Sequence, residues 1–111
     1  MGYTPRTTWA DLISTDAFMR RVRRSRLSYR ELAAAVEAEL AKIAREERRH
    51  KRDASLVPRT CSHALVGQLV NGDAKTVHEL RGVAFERALG VLDGDLFLAR
   101  VMHDARNGES A

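Results

Sequence analysis

The stretch Thr60-Cys61-Ser62-His63-Ala64-Leu65-Val66-Gly67-Gln68-Leu69-Val70-Asn71-Gly72 predicts a short helix with an unusual outer face. A hydroxyl at Ser62, or at Thr60, can cap its start by accepting an orphan backbone N–H. Asn71-Gly72 ends it, because glycine readily takes the left-handed conformation that closes a helix. Leu65 and Leu69, with Val66 and Val70, fall at helical spacing and turn inward. That leaves His63, Ala64, Gly67, Gln68 and Asn71 facing out. A helix that merely covered a core would carry Lys, Glu and Arg there for solubility. This one offers small, nearly neutral side chains, so another surface can approach it closely.

The chemistry of that face suits a base-pair edge. The major groove of B-DNA admits one helix, Gln or Asn can pair bidentately with adenine, and small residues accept a thymine methyl group. Backbone N–H groups at the helix start, with the Thr60 and Ser62 hydroxyls, suit a phosphate.

Working outward, Ser28-Tyr29-Arg30-Glu31 is a capping box. From it Tyr29, Leu32, Ala33, Val36, Leu40, Ile43 and Ala44 recur three and four apart, predicting a helix roughly 30 Å long. Its second half, Lys42 to Arg52, is rich in both charges and is expected to project from the core. Pro58 cannot continue a helix, so Asp53 to Arg59 reads as a loop. Upstream, Ser14 or Thr15 caps a helix with Phe18, Met19 and Val22 inside and arginines outside, and Thr7 to Ile13 reads as a short turn or helix. Downstream, Thr76-Val77-His78-Glu79 is a second capping box. Its helix has Val77, Leu80, Ala84 and Leu89, with Phe85 and Ala88, on the inner face, and Gly90 ends it. Asp93 or Asp95 can cap a last helix using Leu96, Phe97, Val101 and Met102. The expected fold is therefore all-α, with five to six helices.

Length and charge bound the rest. A chain of 111 residues holds one core. No apolar run is long enough to span a bilayer, and MGYTPRTTWADL lacks the apolar centre of a secretory signal, so a soluble intracellular protein is expected. Cys61 has no internal partner, and His50, His63, His78 and His103 lie too far from other ligands to imitate a zinc site, so no metal or cofactor is expected. The net charge of +4 is unevenly spread: Arg20 to Arg59 holds 13 basic and 6 acidic residues, a local +7, against 6 and 9 elsewhere. A sequestered positive zone favours a polyanion, whose condensed counterions it releases on binding. No acid–base pair, nucleophile or glycine-rich phosphate loop stands out, so no enzyme chemistry is expected.

Three segments together, Leu27-Ser28-Tyr29-Arg30-Glu31-Leu32-Ala33, Ser62 to Gly72, and Thr76 to Glu79 leading into Phe85-Glu86-Arg87-Ala88-Leu89-Gly90-Val91, resemble the lambda-repressor-like, Cro-type helix-turn-helix family. Within it the wording is most similar to immunity repressors of actinobacterial phages, and the resemblance covers about Phe18 to Phe97. It implies a helix-turn-helix domain over residues 15–104, between an N-terminal extension, 1–14, and a flexible tail, 105–111. The implied function is a transcriptional repressor that occupies double-stranded operator DNA in the cytoplasm of a bacterial host, associated with its nucleoid, with no membrane or small-molecule partner.

By matched position, His63, Ala64, Gly67 and Gln68 would face bases. Ser62 and Asn71 would sit at phosphates, joined by Arg23, Arg24, Arg26, Ser28, Arg30, Arg59, Thr60 and Lys75. The sequence departs from the family at a basic helical insertion, residues 34–58, of which Glu37 to Pro58 is the added stretch. Its Arg45, Arg48, Arg49, Lys51 and Arg52 are candidate further DNA contacts, or else solvated. Two states on DNA stay open: a homodimer through the C-terminal helix, and a monomer gripping with the insertion. A Cro-like or excision-control factor, or an interaction module using the protruding helix, are the alternative functions.

Overall fold

The computed structural model describes residues 9–100. Among them the chain runs β1 (Trp9–Leu12), α1 (Thr15–Ser25), α2 (Tyr29–Arg49), a 3-10 turn (Ala54–Leu56), α3 (His63–Asn71), β2 (Thr76–His78), α4 (Glu79–Ala88) and β3 (Phe97–Ala99). Four α-helices with a three-stranded antiparallel sheet make a mixed fold, which corrects the all-α expectation.

Three stretches read as a turn or helix, a helix cap and a last helix are strands. In β1 it is Ala10 that is buried while Trp9 is exposed, so the side chains alternate with the period of a strand. The sheet order is β2-β1-β3, with Ala10 opposite Val77 and Ala99, and Leu12 opposite Phe97. On the outer face Asp11 accepts from the Thr76 hydroxyl at 3.2 Å and is gripped by the Arg100 guanidinium, which holds its carboxyl below the usual range. Thr76 is thus a sheet residue and not a helix cap. Asp95 closes a turn back onto Leu92 instead of starting a helix, so the C-terminal helix invoked for dimerisation is replaced by β3. Val101 and Met102, assigned to that helix, lie outside the described residues.

The core explains why β3 returns. All three phenylalanines of the chain, Phe18 of α1, Phe85 of α4 and Phe97 of β3, meet with centroids 5.6–6.0 Å apart. Such clusters dominate the burial energy of a small core. Gly82 lets the strand close on α4, since a Cβ there would stand 3.2 Å from Cβ and Cγ of Phe97. Glu86 fixes the approach. It is 1% exposed, and its carboxylate accepts from Leu96 and Phe97 N–H at 2.9 Å and from Gly94 N–H at 3.0 Å.

The three helices around the opening stretch begin as their sequences dictate. Ser14 caps α1 through the Ala17 N–H, Ser28 and Glu31 form the capping box of α2, and Ser62 caps α3. The second half of α2 is more integrated than expected. Leu40, Ile43 and Ala44 are buried, and the 3-10 turn folds back so that Val57 joins them in the core.

The fourth helix begins at Glu79 with a less usual cap, the His78 Nδ1 accepting the Leu80 N–H at 3.1 Å. Burial, with the Arg81 charge beside it, pulls the His78 pKa below its ordinary 6.5. A protonated imidazole has no lone pair to accept with. Because the folded pKa lies below the unfolded one, this contribution to stability is complete above about pH 6.5 and is lost as pH falls through the folded value. Thermal stability should therefore fall between pH 7 and 5, and His78→Asn, a cap that does not titrate, should flatten the dependence. Identical pH profiles for the two chains would remove His78 as its source.

Candidate nucleic-acid interface

Helix α3 presents the outer face that its sequence prescribes except at Gly67, which the Tyr29 ring partly covers. Val66 and Leu69 are fully buried, Leu65 and Val70 are half-buried, and His63, Ala64, Gln68 and Asn71 are exposed. Gly67 is half-buried, and a Cβ there would touch the Tyr29 ring at 3.5 Å. The start of α2, with Ser28, Tyr29 and Arg30, thus lies against the same face. The Gln68 side chain makes no hydrogen bond among the described residues. Its carbonyl is engaged, accepting from Asp73 and Ala74 N–H as the chain leaves the helix. Gly72 makes that exit possible with φ 83°, in the left-handed region where a side chain would be strained.

The start of the helix is equipped for an anion. Ser62 Oγ accepts the Leu65 N–H at 3.1 Å, which leaves its own O–H able to donate. The His63 and Ala64 N–H groups belong to the first turn, where a helix has no internal partners for them. Of the four α-helices described, α3 alone has no acidic residue in its first turn. A phosphate there would meet N–H groups and the positive end of the helix dipole without a competing carboxylate.

Two residues that local sequence reading does not flag hold this end in place. Glu37 of α2 accepts the Cys61 N–H at 2.8 Å, and Arg81 of α4 donates from Nε to the Thr60 carbonyl at 2.8 Å. Each reaches across more than twenty residues of chain, so no local spacing betrays it. With Thr60, Cys61, Ser62, Leu65 and Gln68 they line one open cleft. Cys61 itself is packed. Burial pushes its thiol up to about 11, with Arg81 opposing that and Glu37 adding to it, so it stays protonated and poorly nucleophilic.

The arginines cluster at the end of α1 and the start of α2. Arg23, Arg24, Arg26 and Arg30 are exposed, and Arg20, Arg23, Arg24 and Arg26 rim one open hollow at the end of α1. None of them has a carboxylate within ion-pair distance among the described residues. Arg21 departs from the group. It is half-buried toward Val91 and Leu96, and its Nε has no partner. Lys75 is exposed just before β2, and its carbonyl accepts the Leu12 N–H. In the insertion, Arg52 forms a two-pronged pair with Glu47 at 2.7 and 2.9 Å, which sets it apart from the free guanidiniums of Arg45 and Arg48.

No family model, curated protein or solved structure matches the chain. Among the described residues no group of His, Cys, Asp and Glu could hold a metal ion, and no helix is long and apolar enough to cross a membrane.

Proposed function

We propose that the chain binds duplex DNA in a sequence-specific manner, as a helix-turn-helix protein with α2 across the backbone and α3 in the major groove. More particularly, it acts as a transcriptional repressor of the phage immunity type, occupying operators in a bacterial cytoplasm and needing no catalysis or cofactor. The observation that carries the first step is the outer face of α3, exposed at His63, Ala64, Gln68 and Asn71, uncapped by acid and with a free amide at Gln68. The exposed Arg23, Arg24, Arg26 and Arg30, with no carboxylate within ion-pair distance among the described residues, support it with a cationic surface. The second step rests on the resemblance of the wording around Leu27 to Ala33, Ser62 to Gly72 and Phe85 to Val91.

On this reading the labour divides. Guanidinium groups and helix starts would supply salt-sensitive affinity for any sequence, and Gln68 with its neighbours would choose among sequences. Selection of bound duplexes from a randomised pool should therefore enrich one motif. Gln68→Ala should cut the preference for that motif over a scrambled duplex by about 5- to 150-fold, the value of one good bidentate base contact, while binding the scrambled duplex nearly as before. A pool that enriches nothing, or an equal loss on both duplexes, would remove Gln68 from a reading role.

A further inference from the structure

We infer that the basic insertion carries a second, sequence-blind site, a clamp for a sugar-phosphate backbone that continues the duplex path away from α3. The inference rests on the DNA-binding reading above. Its substance is a groove between the second half of α2 and the returning chain, about 280 Å³ in volume. The floor is apolar, made by Leu40, Ala41, Ala44 and Pro58, and the rim carries Arg45, Arg48 and Arg59 with Glu37 at one end.

Three features turn that groove into an anion site. Its one acid is already engaged, since Glu37 accepts the Cys61 N–H. Arg45, Arg48 and Arg59 have no ion-pair partner among the described residues, whereas the neighbouring cations Lys42 and Arg52 are paired with Glu39 and Glu47. The acids Glu39 and Glu46 sit roughly a third of a helical turn or more away from the Arg45 and Arg48 side, by the pitch of an α-helix. Glu37 apart, the helix thus turns its cations Arg45 and Arg48 toward the groove. An apolar floor with a guanidinium rim fits deoxyribose and phosphate together.

Position identifies the occupant. Glu37 lines both this groove and the cleft of Thr60, Ser62 and Gln68, so the two meet on either side of one residue. Arg59 stands in the short segment that leads into the α3 cap. A strand whose bases lie against Gln68 would have its backbone carried past the helix start into the groove. The fold supports the site mechanically, because the buried Val57 and the Arg52 fork onto Glu47 hold the returning chain against α2, and Asp53 caps its turn through the Ser55 N–H at 2.9 Å.

The test compares the full-length chain with a triple variant, R45A/R48A/R59A, on a labelled 30-base-pair duplex of mixed sequence, titrated over a range of salt. Each phosphate neutralised contributes about 0.9 to the slope of log K against log salt. The triple variant should therefore lose about 2–3 from that slope and bind about a hundredfold or more weakly near 0.1 M salt. R45K/R48K/R59K, which keeps the charges, should retain most of the slope. All three side chains are exposed, so circular dichroism should show the fold intact. If the wild type binds the duplex and the alanine variant matches it in slope and affinity, the clamp is overturned and the α3 reading stands. A wild type that ignores the duplex at low salt overturns both.

Discussion

Replacing Glu86 with alanine should lower the unfolding free energy by about 4 kcal/mol and Tm by on the order of 15–25 °C. The reason is the fate of the groups that remain. The carboxylate takes three backbone N–H groups, and those of Leu96 and Phe97 are buried, so the truncated chain leaves donors without acceptors and a cavity beside them. A hydrogen bond to a charged partner contributes about 1.5–3 kcal/mol, and a buried donor left unmade costs about 1–3 kcal/mol. These are large against a total of about 5–15 kcal/mol for a domain of this kind. Glu86→Gln separates the bonds from mere filling of space. Its single oxygen can serve Leu96 and Phe97 from the Oε2 position, while its NH2 would face the Gly94 N–H, so about half of the loss should return. Hydrogen exchange at Leu96 and Phe97 should accelerate more than at Leu69 in the alanine variant. A loss under about 1 kcal/mol would mean that β3 is held by the phenylalanine cluster alone.

Glu86 also shows where local reading of the chain stops. Caps are local chemistry, so Ser28, Ser62 and Gly72 declare α2 and α3 within four residues of themselves. The strands declare nothing comparable. Each is three or four residues long, and β1 finds its partners 65 and 89 positions away, as the Asp11 contacts to Thr76 and Arg100 show. Over so short a run, Trp9, Leu12 and Ile13 suit a helix as well as Ala10 and Leu12 suit a strand, and periodicity cannot arbitrate. Thr76 to Glu79 misled for a related reason. Its spacing satisfies a capping box, but pairing with β1 takes Thr76 and moves the cap to His78.

The candidate interface divides along the same line. The outward set of α3 follows from helical spacing once the ends are known, and His63, Ala64, Gln68 and Asn71 are exposed as that spacing requires. The supports are tertiary. Glu37 and Arg81 come from α2 and α4 to pin Cys61 and Thr60, and nothing near them in sequence marks them out. The insertion was legible as basic and helical but not as packed against the core. Val57 and the alanine and leucine positions of α2 bury one another only after the chain has turned back, and the Arg52 fork to Glu47 spans five residues, outside the three- and four-residue spacings of helix pairs.

Removing Arg23, Arg24, Arg26 and Arg30 together should weaken binding to every duplex, matched or scrambled, by the same large factor. Arg20, Arg23 and Arg24 share a face of α1 at three- and four-residue spacing, where like charges destabilise a helix. Asp95 shares a hollow with Arg20 and Arg24, yet no carboxylate comes within ion-pair distance of any of these guanidiniums among the described residues. Arg26 is held at φ 62°, a left-handed conformation that a non-glycine residue takes at some cost, and alanine there would bear the same cost. The quadruple alanine variant should accordingly melt close to the wild type. If the four side chains each neutralise a phosphate, the salt slope should fall by about 3–4 and affinity near 0.1 M salt by about a thousandfold. The ratio between matched and scrambled duplexes should survive, opposite to the behaviour expected of Gln68→Ala. A variant that binds as the wild type does would show the arginines to be solvated surface, and the duplex would then have to be held from the α3 side alone.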